Sequence, residues 1–358
     1  MMYPLKFIPV YKDYVWGGRN FEKLGRKLPD GIVAESWEIS CHPNGLSIIS
    51  NGEHAGKSLV ELINQYGRKV IGDDLPGKDL KKFPLLVKFI DASNKLSVQV
   101  HPDDSYAFTH ENGEYGKNEM WYIMSAKPGA RLIYDVVPGT TRETFAQAVK
   151  NNDILSCLKQ VEVFPGDVIN IPAGLVHAIG EGIMLAEIQQ NSDTTYRVYD
   201  YDRTDSHGNK RPLHIEKALD VIDFNSENRK EKVEGLTVKL DDKCSKTYYI
   251  ANKYFSVELY DIDGTVSENP DGKKFHIYVF TEGNCVIESD GSRVEAVKGE
   301  SILIPASMGS YTLKGRFKAL KSYVPDIERD ILRPLKEAGF SEQEILEKVS
   351  GVKQKPAF

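Results

Sequence analysis

The sequence predicts a mainly β protein built from two related β-barrel or jelly-roll units, with helical insertions and a C-terminal helical tail. Three observations carry this expectation. Short apolar or alternating runs recur between Gly, Pro, Asn and Asp: LSIIS (46–50), LLVKFI (85–90), LSVQV (96–100), MWYIM (120–124), VINI (168–171) and SILIP (301–305). Helical periodicity interrupts them at three places. One strand-entry segment also occurs twice, since PGDVINIPAGLVH (165–177) can be laid against KGESILIPASMGS (298–310) without a gap.

The helical patterns come in chain order. The first is SLVELINQYGRKVIG (58–72). The second, TRETFAQAVKNNDILSCLKQ (141–160), carries Phe145, Ala148, Ile154, Leu155 and Leu158 on a helical stripe, with Thr140 or Thr141 as N-cap. In the third, ERDILRPLKEAGFSEQEILEKV (328–349), Pro334 breaks a helix and Gly339 followed by Ser341 restarts it. The segment SENRKEKVEGLTVKLDDKCS (226–245) is charged and poor in large apolar residues, which marks it as the linker. The expected division is therefore 1–225 for the unit that carries chemistry, 226–325 for a second β unit without metal ligands, and 326–358 for a helical appendage.

With 41% hydrophobic and 27% charged residues, the chain has the composition of a globular protein, and no apolar run approaches the roughly 20 residues a membrane helix requires. Its first residues, MMYPLKFIPVYKDYVWGG, lack the basic and apolar regions of a signal peptide, so a cytoplasmic protein with no membrane partner is expected. A net charge of -6 gives no general attraction to nucleic acid. An anionic substrate would need a local basic pocket. Cys41, Cys157, Cys244 and Cys285 lie far apart without a C-x-x-C pair, which points to reduced structural thiols and leaves any metal to other ligands.

In SVQVHPDD, Gln99 and His101 are spaced so that their side chains leave one face of a strand, while Val98 and Val100 leave the other. Lys117 and Glu119 repeat this spacing in GKNEMWYI, and His177 closes the turn after the G-x5-P strand. Two histidines, a carboxylate and an amide oxygen can converge on one divalent cation and leave a position for water or substrate. Taken singly, either histidine is as readily a packing or strand-capping residue. The repeat adds weight to ligation: it sets Ser310 opposite His177, and laying KFHIYVFTEGNCVIES (274–289) on EMWYIMSAKPGARLIY (119–134) sets Lys274 opposite Glu119. One unit reads as equipped and the other as stripped. His42, His54, His110, His207, His214 and His276 read as surface or packing residues.

The segment Gly166-x5-Pro172-x-Gly174-x2-His177 resembles the second motif of the cupin superfamily; the first motif is met loosely, with Gln99 where a histidine is usual. Together, YVWGGRN (14–20), ESWEIS (35–40), FPLLVKFIDASNKLSVQVHPDD (83–104), GKNEMWYI (116–123), PAGLVHAIG (172–180) and TTYRVYDYDR (194–203) resemble type I mannose-6-phosphate isomerase in its shorter bacterial form, over most of residues 1–322. The resemblance implies two cupin-like units and a zinc-dependent aldose-ketose isomerase that interconverts mannose 6-phosphate and fructose 6-phosphate through a cis-enediol. It implies one zinc ion per chain on Gln99, His101, Glu119 and His177. It further implies that Arg197 is an active-site residue, that Lys88, Ser97, Lys117 and Glu187 face the small sugar phosphate, and that Trp16 lies near the entrance. A monomer or homodimer is expected.

Proton transfer needs a base with a pKa tuned toward neutrality. Glu187 is the first candidate, although MLAEIQQ alternates like a strand and could turn it to solvent; Lys117, two residues from Glu119, is the rival. Arg197 suits a phosphate or an enediolate. Lys88, inside the apolar run LLVKFI, requires a partner or a polar cavity, and Arg203 and Lys210 could add phosphate contacts from the loop DRTDSHGNKR. Two other readings stay open. One is an iron-dependent cupin oxygenase that uses two histidines and a carboxylate as a facial triad. The other is a non-catalytic, metal-containing cupin that binds a sugar phosphate.

Overall fold

The computed structural model describes residues 2–75, 82–204, 208–225 and 229–352. It is mainly β, and each of the six runs quoted above contains a strand: Ile48–Ile49, Leu85–Ala92, Val98–Val100, Glu119–Ala126, Val168–Ile171 and Ser301–Ile304. The chain groups into two compact units, one of Met1–Val10, Trp37–Val87 and Val233–Phe358, the other of Tyr11–Ser36 and Lys88–Lys232. This grouping differs from a single cut near residue 226. The reason is strand pairing: Leu5–Ile8 joins Ser301–Ile304 on one edge and Ile48–Ile49 on the other, which carries N-terminal residues into the C-terminal unit.

The unit containing residues 88–232 has a five-stranded sheet in the order Tyr196–Tyr199, Val98–Val100, His177–Ala178, Arg131–Val136 and Leu158–Glu162. A six-stranded sheet runs Val168–Ile171, Glu119–Ala126, Ile183–Gln190, Leu85–Ala92, Glu35–Ile39 and Val10–Lys12. One core cluster gathers Trp121, Ile123, Leu132, Ile169, Ile171, Ile179 and Leu185. A second gathers Val98, Val100, Phe145, Val176, Val198 and Ala218, so the valines beside Gln99 are buried with residues of the helices Arg142–Lys150 and Ile215–Val221. Burying each valine contributes about 1.5–3 kcal/mol. That burial fixes which face Gln99 presents.

The other unit holds a nine-stranded sheet in which Ser256–Glu268, Tyr311–Tyr323 and His276–Ser289 form long antiparallel ladders. The two repeats pair alike but with an offset. Ile171 lies opposite Glu119, while Ile304 lies opposite His276 and not Lys274. His276 therefore stands where Glu119 stands, two residues from the position the sequence alignment indicates, and its Nδ1 bonds to Tyr311 Oη at 2.7 Å.

Three sequence expectations change. The second helical pattern stops at Lys150, where Asn151 caps the helix and Asn152 takes φ +56°; a short 3-10 turn follows, and residues 158–162 form a strand. Phe145, Ala148, Ile154 and Leu158 are buried, but Leu155 is exposed. The charged segment 226–245 is not all linker, because Leu236 and Val238 let Leu236–Lys239 pair with Cys244–Ala251. The C-terminal helices pack on their own chain: Ile331, Leu335, Ile345 and Val349 join Leu236, Tyr248 and Ala251 in one cluster. Pro334 sits in the first turn of Arg333–Glu337, where its missing N–H is tolerated, and Ser341 caps Glu342–Lys348 through a capping box with Glu344. All four cysteines are free thiols.

Candidate metal centre and cavity

His101, Glu119 and His177 converge in the protein interior. Each offers one ligand atom, and these atoms lie within 4.8 Å of one another. The local chain accounts for the placement. His177 is the ladder partner of Gln99. Gly174, at φ +86°, turns the PAGLVH segment and donates its N–H to His101 O at 2.9 Å, tying the two histidine-bearing segments together.

Both imidazoles are oriented by backbone carbonyls. His101 Nδ1 donates to Thr194 O at 2.9 Å and His177 Nδ1 to Leu175 O at 2.8 Å, which leaves each Nε2 to face Glu119, at 3.1 and 3.8 Å. A backbone acceptor on one ring nitrogen is how proteins preset a histidine to ligate a metal with the other. Burial, reinforced for His101 by Lys117 and for His177 by His101, lowers both pKa values, that of His177 to about 3. Both rings stay neutral at physiological pH. Burial opposes ionisation of Glu119, yet Lys117 holds its carboxyl well below the usual range. Its oxygens are buried and accept no well-directed hydrogen bond, although Lys117 Nζ lies 2.5 Å from Oε1. Two neutral imidazoles and an underused carboxylate suit a divalent cation. Gln99 lies beside them with its amide nitrogen 3.4 Å from His177 Nε2, so half a turn of the amide would present its oxygen.

Next to this cluster, through Gln99 and Lys117, is a cavity of about 260 Å³ lined by Trp16, Lys88, Ser97, Gln99, Lys117, Glu187 and Arg197, and also by Tyr14, Glu35, Asp193, Thr195 and Arg211. Glu187 does not face solvent: every residue of Ile183–Gln190 is buried. Trp121 Nε1 donates to Glu187 Oε2 at 2.8 Å. Burial, with the nearby charge of Glu119, raises the Glu187 pKa to about 7. Lys88 Nζ is 3.5 Å from both Glu35 Oε2 and Glu187 Oε1. Burial pulls the Lys88 pKa down, but these carboxylates outweigh it and raise the value, so the lysine remains charged.

Arg197 is the other ladder partner of Gln99, and its Nε donates to Ser97 Oγ at 3.2 Å. His214 brackets the Arg197 backbone, accepting its N–H on Nδ1 at 3.2 Å and donating its own backbone N–H to the Arg197 carbonyl at 2.8 Å, a packing role. Arg211 is fixed by Asp200 through Nε at 2.8 Å and Nη2 at 2.6 Å. Arg203 binds the same aspartate, and Lys210 pairs with the exposed Asp202. Trp16 is 3% exposed and forms cavity wall; Tyr14, stacked on it at 5.7 Å, is the more exposed ring at 38%. The WGG motif allows this, since a Cβ on Gly17 would meet Ala34 at 2.6 Å and one on Gly18 would meet Ser93 Oγ at 1.8 Å.

The sequence reading missed Tyr14, Glu35, Arg211 and Trp121, although Glu35 lies in the quoted ESWEIS run. Of the histidines set aside, His42, His54 and His276 are buried and His110 is exposed. His207 lies outside the described residues.

Antiparallel β sheets with a buried His–Glu–His cluster beside a cavity lined by Lys88, Lys117, Arg197 and Arg211 define a cupin-like protein with a metal-competent centre. The family model for the phosphomannose isomerase type I catalytic domain matches residues 4–122, and that for the mannose-6-phosphate isomerase cupin domain matches residues 245–324. The chain is 39% identical over 324 residues to the probable mannose-6-phosphate isomerase GmuF of Bacillus subtilis, covering 90% of this chain and 100% of the relative. It is 38% identical over 321 residues to the mannose-6-phosphate isomerase ManA of the same organism, covering 90% and 99%. The crystal structure of the mannose 6-phosphate isomerase from Bacillus subtilis matches with a TM-score of 0.82 at 34% identity, over 89% of this chain and 99% of that one. A phosphomannose isomerase variant from Salmonella typhimurium, at 17% identity and a TM-score of 0.73 over 90% of this chain and 99% of that one, shares the fold. The chain belongs to the type I mannose-6-phosphate isomerase family and is an isomerase.

Proposed function

We propose that the chain interconverts mannose 6-phosphate and fructose 6-phosphate, with Glu187 as the base. The observation that carries this reading is a buried carboxylate, its pKa raised to about 7, lining the same cavity as Lys88, Lys117 and Arg197. His101, Glu119, His177 and, with its amide turned, Gln99 would hold one zinc ion. Bound zinc supplies redox-inert Lewis-acid stabilisation of charge on sugar oxygens.

The remaining steps belong to the side chains. Arg197 and Arg211 carry the paired donors that suit a phosphate dianion. With the sugar open, Glu187 takes the C2 proton; that electron pair forms the C1–C2 double bond, and O1 accepts the aldehyde electrons and a proton to give the cis-enediol. Return of the proton from Glu187 to C1, with the O2 proton given up in exchange for the one O1 took on, gives the ketose with no net gain or loss of protons. Lys88, held charged, stabilises negative charge as the enediol forms. A carboxylate titrating near neutrality matches the requirement that a general base work at physiological pH.

The test is incubation of zinc-loaded protein with mannose 6-phosphate under nitrogen, followed by NMR for fructose 6-phosphate, with a chelated control. Product only from the metal-loaded protein supports the isomerase. Ligand bound without turnover would favour the binding reading, and turnover that requires oxygen would favour the oxygenase.

A further inference from the structure

We propose that Trp121 is a positioning residue that selects which oxygen of Glu187 carries the migrating proton: its indole N–H occupies Oε2 and leaves Oε1 to act. The inference rests on Glu187 being the base, as proposed above.

Strand register makes the contact. Trp121 is the ladder partner of Glu187, so the two side chains leave the same face as immediate neighbours, and Nε1 donates to Oε2 at 2.8 Å. An indole N–H donates and cannot accept. A proton on Oε2 would make it a weaker acceptor and cost part of that bond, whereas Oε1 accepts no hydrogen bond and lies 3.5 Å from Lys88 Nζ. Oε1, within ion-pair range of Lys88 but accepting no hydrogen bond, is the atom left to receive a proton from a substrate and give it back.

The indole is itself held. Trp121 is fully buried, and its ring meets that of His177 at 5.3 Å between centroids and 77° between planes. One side chain thus spans from a histidine of the metal centre to the base. The charged groups acting on Glu187 are Glu119, Lys88, Lys117 and Glu35. They set how readily it takes up a proton; Trp121 sets where the proton goes.

The test uses zinc-loaded protein, Trp121→Phe and Glu187→Gln. The chain has three tryptophans, so W121F assigns the Trp121 indole signal by its disappearance. In the wild type that signal moves with pH along a titration that E187Q abolishes. W121F retains the ring and its zinc, keeps KM within about twofold, and lowers kcat about tenfold or more, the scale of one hydrogen bond to a charged acceptor. The acid limb of its kcat profile moves up by about one pH unit, because the lost donor favoured the ionised carboxylate. If none of the three indole signals behaves differently in wild type and E187Q, the proposal is overturned, even if W121F fails to fold. So does W121F with wild-type kcat and acid limb while E187Q is inactive, a result that leaves the base assignment standing. E187Q with wild-type turnover overturns both.

Discussion

Lys88 and Glu187 form a buried contact in which Nζ lies 3.5 Å from Oε1 and each side chain is only 3% exposed. The lysine also lies 3.5 Å from Glu35, so it sits between two carboxylates that the six-stranded sheet brings together. Removing it leaves two buried carboxylates without that counter-charge. Lys88→Met is expected to destabilise the protein by about 3–5 kcal/mol, read from urea unfolding, and Lys88→Met with Glu187→Gln to recover part of that loss.

The metal centre depends on the joint action of three side chains. His177→Ala and Glu119→Gln are each expected to leave the fold intact by circular dichroism and to abolish stoichiometric zinc in metal analysis. Activity falls at least about a hundredfold in both, as a site deprived of its electrostatic stabiliser should. Full zinc occupancy in Glu119→Gln would contradict this assignment.

Arg211 is a cavity residue that sequence spacing did not single out. Held by Asp200 on two nitrogens, it can meet a phosphate without losing its own orientation. Arg211→Ala is expected to raise KM for mannose 6-phosphate about tenfold or more and to weaken inhibition by inorganic phosphate in parallel, measured in steady-state assays.

Two buried groups, Glu187 and His177, pull the pH dependence of stability in opposite directions in the metal-free protein. The folded-state pKa of Glu187 is raised from 4.5 to about 7, so its contribution is full below 4.5 and lost as pH rises through 7. The folded-state pKa of His177 is lowered from 6.5 to about 3, so its contribution is full above 6.5 and lost as pH falls toward 3. Urea midpoints measured from pH 3 to 8 should therefore climb more steeply with pH in Glu187→Gln than in the wild type between 4.5 and 7.

The C-terminal helices are expected to behave as core. Ile345 is fully buried, and Ile345→Ala should cost about 2–5 kcal/mol in urea unfolding while leaving kcat unchanged. A loss below about 0.5 kcal/mol would restore the view of this segment as an appendage.

The strands were legible because their alternation is local: Val98, Gln99 and Val100 announce their two faces, and the structure buries the valines and turns the glutamine inward. His101, Glu119 and His177 were legible for the same reason, as polar residues at strand spacing beside a recognisable turn. The contacts of Lys88 were not, since Glu35 and Glu187 come from strands distant in sequence and only sheet order makes them neighbours. Nor was the register of the second repeat. An offset of two residues preserves the face of every side chain, so Lys274 and His276 fit the Glu119 position equally well until the ladder is seen. Residues 158–162 and 236–239 were misread because their charges hide a half-buried strand in which alternate residues alone need be apolar.

The most direct measurement is the fate of a deuterium label at C2 of mannose 6-phosphate, followed by NMR in the zinc-loaded wild type and in zinc-loaded Glu187→Gln. If Glu187 moves the proton, the wild type yields fructose 6-phosphate at least about twofold more slowly from labelled than from unlabelled substrate, with label at C1 or lost to water. The variant, with the same zinc content, then forms product at less than about 1% of the wild-type rate. Wild-type turnover in Glu187→Gln, or no fructose 6-phosphate from the metal-loaded wild type, would contradict the account.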